Sequence, residues 1–239
     1  MAGRHLISPG YRAAAWTLKP PLHLLMRTVR DGWENLPPAG TGYIAAANHI
    51  SNIDFLPIVE FFYDTGAPGR VLVKDSLWKV PLVRQLLNAT GQIPVRRGTA
   101  RAGDALAEAR KALASGTSII MYPEGTITKD PTMWPMAARP GVGRLALSTG
   151  VPVVPIGQWG AHEVLPRTGR FPRPLPRHTE HIRVGPAVNL DDLMGRTDPG
   201  AAREATDRIM KAVTAIVGEL RGAIPPDRPY NPYGAGDTR

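Results

Sequence analysis

The chain has 239 residues, 43% of them apolar and 21% charged, with no cysteine and a formal net charge of +9. That size and apolar content fit one packed domain with at most a small appendage, and they exclude a disordered chain. The lack of cysteine excludes a disulfide framework, thiolate metal sites, iron–sulfur clusters and a thiol nucleophile, while the positive surplus, mostly arginine, points to anionic partners: nucleic acid, anionic lipid or small phosphates.

The opening MAGRHLISPG has no apolar core of signal-peptide length. No later stretch approaches the roughly 20 apolar residues of a transmembrane helix. The expectation is a cytoplasmic chain, soluble or peripheral to a membrane. Residues 11–30 predict two short helices split by Pro20-Pro21. The second carries Leu22, Leu25, Met26 and Val29 at helical spacing, with Arg27 and Arg30 between them. Such a basic amphipathic stretch packs on a core or dips into lipid.

From residue 43 short Val- and Ile-rich runs alternate with helical patterns. Strands are expected at Tyr43–Ala47, Arg70–Lys74, Gln92–Arg96, Ser118–Tyr122, Val151–Gly157 and His181–Val184. Helices are expected near 55–64, 81–88, 101–115, 140–149 and 199–221. This alternation predicts an α/β fold with a mixed, largely parallel sheet flanked by helices, preceded by an N-terminal helical segment. The organisation reads as an N-terminal amphipathic segment over 1–31, a domain over 32–222 and a Pro/Gly-rich tail over 223–239. Residues 160–180 hold no periodic pattern and interleave four prolines with Arg167, Arg170, Arg173 and Arg177, a long basic loop.

Four segments carry residues suited to chemistry. In AANHISNIDFLP, His49 and Asp54 stand five apart, which on a regular helix puts them on different faces. They meet only if His49 precedes the helix and Asp54 lies at its start. Ser51-x-x-Asp54 reads as a capping box with Ser51 as N-cap, but Pro57 then removes a bond near the second turn. A helix that begins later takes Asp54 as its N-cap and Pro57 into its first turn. Either way a carboxylate beside an imidazole fixes the tautomer and stabilises the imidazolium, the equipment of a general base acting on a hydroxyl. GQIPVRR, Gly91–Arg97, ends a short strand in two arginines suited to a phosphate monoester. SIIMYPEGT runs a buried-looking strand into a turn with Glu124, Gly125 and Thr126. There Glu124 has two options: bonding a substrate hydroxyl or anchoring the loop. VPVVPIG places prolines in an apolar strand, the sign of an edge or irregular strand. The pair His178-x-x-His181 is too sparse for a metal site, and no metal is expected.

In order and spacing these blocks resemble the lysophosphatidic acid (1-acyl-glycerol-3-phosphate) acyltransferase family. Its Asn-His-x-Ser-x-x-Asp, Gly-x-Ile-x-Val-x-Arg, Phe-Pro-Glu-Gly-Thr-Arg-Ser and Val-Pro-Val-x-Pro blocks appear as Asn48–Asp54, Gly91–Arg97, Tyr122–Thr128 and Val151–Pro155. The resemblance covers roughly residues 32–188. It implies that His49 is the general base and Asp54 its partner. It implies that Arg97 contacts the acceptor phosphate, and that Asn48, Ser51, Glu124, Gly125 and Thr126 belong to the substrate-binding blocks. It further implies an acyl thioester of coenzyme A or acyl carrier protein as co-substrate, no cofactor, a lysophospholipid acceptor, and a peripheral enzyme on the cytoplasmic face of an anionic membrane with no nucleic-acid partner. The third block departs from the family: Tyr122 replaces Phe, Ile127 replaces Arg and Thr128 replaces Ser. The lost arginine bears on the acceptor's identity more than on the reaction, with Lys129 or Arg139 as replacement charges. Glycerol 3-phosphate, another lysophospholipid or a glycolipid are the alternative acceptors. A non-catalytic basic membrane-binding protein is the remote alternative.

Overall fold

A computed structural model describes residues 7–96 and 102–232. The elements, in chain order, are α1 (Pro9–Leu25), β1 (Met26–Asp31), β2 (Ile44–Ala47), α2 (Phe55–Asp64), β3 (Arg70–Lys74), α3 (Pro81–Ala89), β4 (Ile93–Val95) and α4 (Ala102–Ala114). They continue with β5 (Ile119–Met121), α5 (Gly141–Thr149), β6 (Val153–Trp159), α6 (Ala161–Val164), β7 (His178–Val184) and α7 (Pro199–Arg221). The strands form a 7-stranded sheet in the order β1-β7-β6-β2-β5-β3-β4. Every pairing is parallel except β6 with β7. The mixed, largely parallel α/β sheet expected from the sequence is what the chain forms.

Period-two alternation divides the core into two layers. Tyr43, Ala45, Ile120, Ile156 and Ile182 face α2 through Ile58, Phe61 and Phe62. Ile44, Ala46, Ile119 and Val153 face α4, α5 and α7. Strands buried on both sides explain why these runs read as continuously apolar. The α7 helix begins as its sequence demands, with Pro199 in the first turn and the Asp198 carboxylate accepting from Ala201 N–H. Its stripe of Ala205, Ile209 and Val213 is fully buried. A Cβ at Gly157 would fall 2.4 Å from Ile216 Cγ2, so the bare glycine is what lets α7 lie against β6.

The N-terminal segment differs from expectation. Pro20 and Pro21 do not split it, and α1 runs through to Leu25. Both prolines are on the exposed side, so the carbonyls they leave unbonded lie toward solvent. The predicted second helix ends early, because Met26–Asp31 pairs in parallel with His178–Val184 and completes the sheet edge. Pairing with an open strand edge outweighs a helical pattern only two turns long. The loop over 160–180 is also shorter than expected: α6 occupies its start and β7 begins at His178. No helix among the described residues is long and apolar enough to cross a membrane.

A charge network ties α1 and β1 to α2. Glu60, 5% exposed, accepts from Arg30 Nη2 at 2.6 Å and meets His23 Nε2 at 2.5 Å. Asp64 takes Arg30 Nη1 at 2.6 Å and Lys19 Nζ at 2.5 Å. Removing one partner of a buried carboxylate costs more than the pair contributes. Arg30→Met is therefore expected to lower stability by about 3 kcal/mol, and an unchanged urea midpoint would contradict the role given to this network.

Candidate active site

The residues singled out in the first and third blocks converge at the carboxyl ends of β2 and β5, the usual ligand edge of such a sheet. All four residues of β2 are buried. The chain leaves it at Asn48, whose side chain is consumed in a clamp. Its Oδ1 accepts from Gln158 N–H at 2.9 Å, its Nδ2 donates to Gln158 O at 3.0 Å, and Gln158 Nε2 donates to Asn48 O at 2.7 Å. Three buried bonds thus lock the end of β2 to β6 and fix where His49 starts.

His49 is held at both main-chain groups. Its N–H donates to Glu124 Oε1 at 2.9 Å, and its carbonyl accepts from Thr128 N–H at 2.8 Å. The Tyr122 ring stacks on the imidazole with centroids 4.5 Å apart. Nδ1 lies 2.9 and 3.0 Å from the two oxygens of Asp54. The Asp54 carboxylate, fully buried, also accepts from Ile50 N–H at 2.7 Å and Ser51 N–H at 2.9 Å. Surrounded by donors, it is best served by an Nδ1–H proton, which leaves Nε2 with its lone pair. The imidazole is 17% exposed while Asp54 is 0%.

The local fold settles which helix start the sequence uses. Asp54 is the N-cap position of α2 and Pro57 sits in its first turn. The Asp54 side chain makes no bond to its own helix and points back to the loop instead. Ser51 is not the cap: its Oγ donates to Leu165 O at 2.7 Å, pinning the basic loop beside the site. Glu124 resolves toward the anchoring option. Fully buried, it accepts from His49 N–H and, at 3.0 Å, from Met136 N–H. Burial pushes its pKa up to about 8, against the pull of those two N–H groups. Gly125 follows at φ +72°, a conformation that favours glycine, and with Thr126 stays half-buried at the turn.

A folded pKa raised from 4.5 to about 8 means that the folded state binds the extra proton between those values. The stability Glu124 contributes is then fully present below the unfolded value and lost as pH rises through the folded one. Glu124→Gln, which stays neutral, should therefore match wild type most closely below pH 4.5, and the gap in urea titrations should widen toward and above pH 8, where the wild type alone must bury a charge. A gap that does not change with pH would contradict this protonation.

Gln158 and Glu180 escaped sequence reading, and Tyr122 entered it only as the head of the third block. Tyr122, Gln158 and Glu180 stand one row beyond the apolar α2 layer, in phase with Ile120, Ile156 and Ile182. All three lie behind the His49–Asp54 pair. Burial together with Asp54 drives the pKa values of Glu180 and Tyr122 up, against the smaller pull of Ala161 N–H on the first and Gln158 on the second. The available signal was a polar residue at an in-phase position of an otherwise apolar strand. Arg167, from the basic loop, donates through Nη1 to the carbonyls of Thr128 at 2.9 Å and Asp130 at 3.3 Å. It brings a guanidinium to the turn where Ile127 leaves none. Arg97 lies outside the described residues. Arg96 reaches Asp75, and β4 ends at the same edge as the site. Beside the first turn of α2 opens a narrow apolar cleft between α1, α2 and α3, lined by Leu22, Phe55, Leu56, Val59 and Leu86.

Comparison with known proteins adds to this geometry. The acyltransferase family matches residues 28–159. A chloroplastic 1-acyl-sn-glycerol-3-phosphate acyltransferase of Brassica napus is 29% identical over 141 residues, 59% of this chain and 39% of that protein. The 1-acyl-sn-glycerol-3-phosphate acyltransferase of Borreliella burgdorferi is 27% identical over 192 residues, 80% of this chain and 73% of that one. The chain spans well under half the length of the chloroplastic relatives from Brassica napus and Arabidopsis thaliana that it matches. The crystal structure of the 1-acyl-sn-glycerophosphate acyltransferase PlsC from Thermotoga maritima superposes with a TM-score of 0.64 at 26% identity, covering 91% of this chain and 78% of that one.

Proposed function

The chain belongs to the acyltransferase family, and we propose that it moves a fatty acyl group from a thioester of coenzyme A or acyl carrier protein to the free hydroxyl of 1-acyl-glycerol-3-phosphate, giving phosphatidic acid. The observation that carries this reading is the His49 Nδ1–Asp54 contact at 2.9 Å, with the imidazole partly open. His49 Nε2 takes the hydroxyl proton as that oxygen attacks the thioester carbonyl. The carbon–sulfur bond then breaks, and the departing thiolate recovers the proton from the imidazolium. Asp54 holds the tautomer throughout and stabilises the positive ring.

Each other residue has a place in this scheme. Arg97 contacts the acceptor phosphate, and Arg167 supplies the charge that Ile127 does not. Gly125 and Thr126 form the acceptor turn. Asn48, Ser51 and Glu124, expected in the substrate-binding blocks, spend their polar atoms on main-chain groups and serve as positioning residues. The apolar cleft beside Phe55 takes an acyl chain. The chemistry needs no cofactor, and the enzyme works on the cytoplasmic face of the membrane.

Ile127 favours a second reading in which the same chemistry serves another acceptor. An acceptor panel separates the two. Oleoyl-coenzyme A or oleoyl-acyl carrier protein is offered with lysophosphatidic acid, glycerol 3-phosphate or lysophosphatidylinositol, and products are identified by mass. Phosphatidic acid from the first acceptor is the expected product. A product only from one of the others moves the substrate assignment to Ile127, and no product from any acceptor with either thioester overturns the enzyme reading.

A further inference from the structure

His49 is fixed by two neighbouring segments. On one side β6 runs into Gln158, whose three bonds clamp Asn48, and Trp159 follows it directly. On the other side the loop over 127–139 supplies Thr128 N–H to the His49 carbonyl at 2.8 Å and Met136 N–H to Glu124 at 3.0 Å, and Glu124 in turn accepts from His49 N–H. Trp134 lies buried between those two loop contacts, and its carbonyl accepts from Thr128 Oγ1 at 2.7 Å. Each segment therefore carries an indole close to a group that holds the histidine's loop.

Arg221 ends α7, and its guanidinium carbon lies 3.9 Å from the Trp134 ring centre and 4.4 Å from that of Trp159. One planar cation thus touches both indoles. An arginine in the last turn of a helix ordinarily meets the free carbonyls there or water. Here Nη1 is buried and has no hydrogen-bond partner among the described residues. A desolvated guanidinium nitrogen is costly, and the faces of two indoles are what offset it. Buried Asp130, in the same loop, adds charge attraction. Past Gly222, at φ +60°, the chain turns back along this loop, and Tyr230 O accepts from Ala137 N–H at 2.8 Å. From the other end of α7, Arg203 Nη1 donates to Ala138 O at 2.7 Å. The loop is held on its inner side by His49 and Glu124 and on its outer side by α7 and the segment that follows it.

We propose that Arg221 is a positioning residue of the active site: wedged between Trp134 and Trp159, it ties together the two segments that hold the main chain of His49. It lies outside all four sequence blocks and touches no reacting atom. Its contribution is local order. With the wedge in place, the Glu124 and Thr128 contacts stay closed while the imidazole takes and returns a proton. Without it the loop opens more often and His49 leaves the reach of the hydroxyl. The effect on turnover rests on the acyltransferase reading. The wedge itself does not.

The test is amide hydrogen exchange of the full chain, read by mass spectrometry, beside steady-state kinetics with oleoyl-coenzyme A and lysophosphatidic acid. Arg221→Met keeps the aliphatic stem and removes the cation. It should speed exchange about tenfold in the peptides that hold His49, Thr128 and Met136, while β3 and β7 exchange as in wild type. It should lower kcat about tenfold and leave KM for the thioester unchanged. Arg221→Lys, a cation without the planar fork, should fall between the Met variant and wild type in both readouts. Arg208→Met, elsewhere on the same helix and paired with Asp192 and Glu204, should match wild type in both. In Arg221→Met, unchanged exchange at the three sites, or exchange raised equally throughout the sheet, overturns the inference whatever the activity. Faster local exchange with a wild-type kcat overturns the positioning role. Exchange is read without any acceptor, so a failure of the acyltransferase reading is told apart from a failure of the wedge.

Discussion

Replacing His49 by alanine is expected to lower kcat by roughly 10²–10⁴-fold while leaving KM for the acyl thioester close to its wild-type value. The reasoning is local. Among the described residues of the site, the imidazole is the one group with a nitrogen left open, a carboxylate behind it and partial exposure. Its main-chain N–H and carbonyl, which hold Glu124 and Thr128, survive the substitution. The loop therefore stays in place and the loss falls on proton transfer. Steady-state kinetics with thermal melts decide the matter. A variant as active as wild type removes His49 as the base, and a variant that melts early moves its role to structure.

Asp54→Asn should be as damaging to turnover, on the order of 10³-fold, because the amide presents a donor where the imidazole needs an acceptor. It should also cost more stability than His49→Ala, which takes one donor from the buried carboxylate but leaves its two main-chain N–H partners in place. Asp54 accepts from Nδ1, Ile50 N–H and Ser51 N–H together while fully buried. An asparagine has one oxygen for three donors, and each donor left unpaired in the interior costs about 1–3 kcal/mol. The pair of variants thus carries a signature: His49→Ala loses mainly activity, and Asp54→Asn loses activity and shifts the urea midpoint further. Equal stability of the two would mean that Asp54 does not hold the loop as described.

Much of this site was legible because its information is local. Apolar runs with the right period placed β2, β3 and β5, and α2 spans the same ten residues expected of it. The His49–Asp54 approach followed from the need to put one residue before a helix and the other at its start, and Pro57 selects the later start that the chain adopts. What escaped depends on distant partners. The strand at Met26–Asp31 exists because β7, some 150 residues later, offers it an edge. The resemblance puts Asn48 in a substrate-binding block, and the sequence leaves Glu124 open between a substrate hydroxyl and the loop, since nothing there announces the Gln158 clamp or the Met136 N–H. Arg167 belongs to a stretch without period, and only the fold brings its guanidinium to Thr128. Glu180 sits two residues from Ile182 on the same strand face, so its burial was readable by parity, but its neighbourhood with Asp54 was not.

The most direct measurement is release of free coenzyme A from oleoyl-coenzyme A, followed with and without lysophosphatidic acid, with the intact mass of the protein recorded at each point. Direct transfer to a hydroxyl activated by His49 gives coenzyme A only when the acceptor is present, phosphatidic acid in equal amount, a protein mass that never changes, and none of these products from His49→Ala. A burst of coenzyme A without acceptor, a protein gaining the mass of an oleoyl group, or undiminished release by His49→Ala would contradict it.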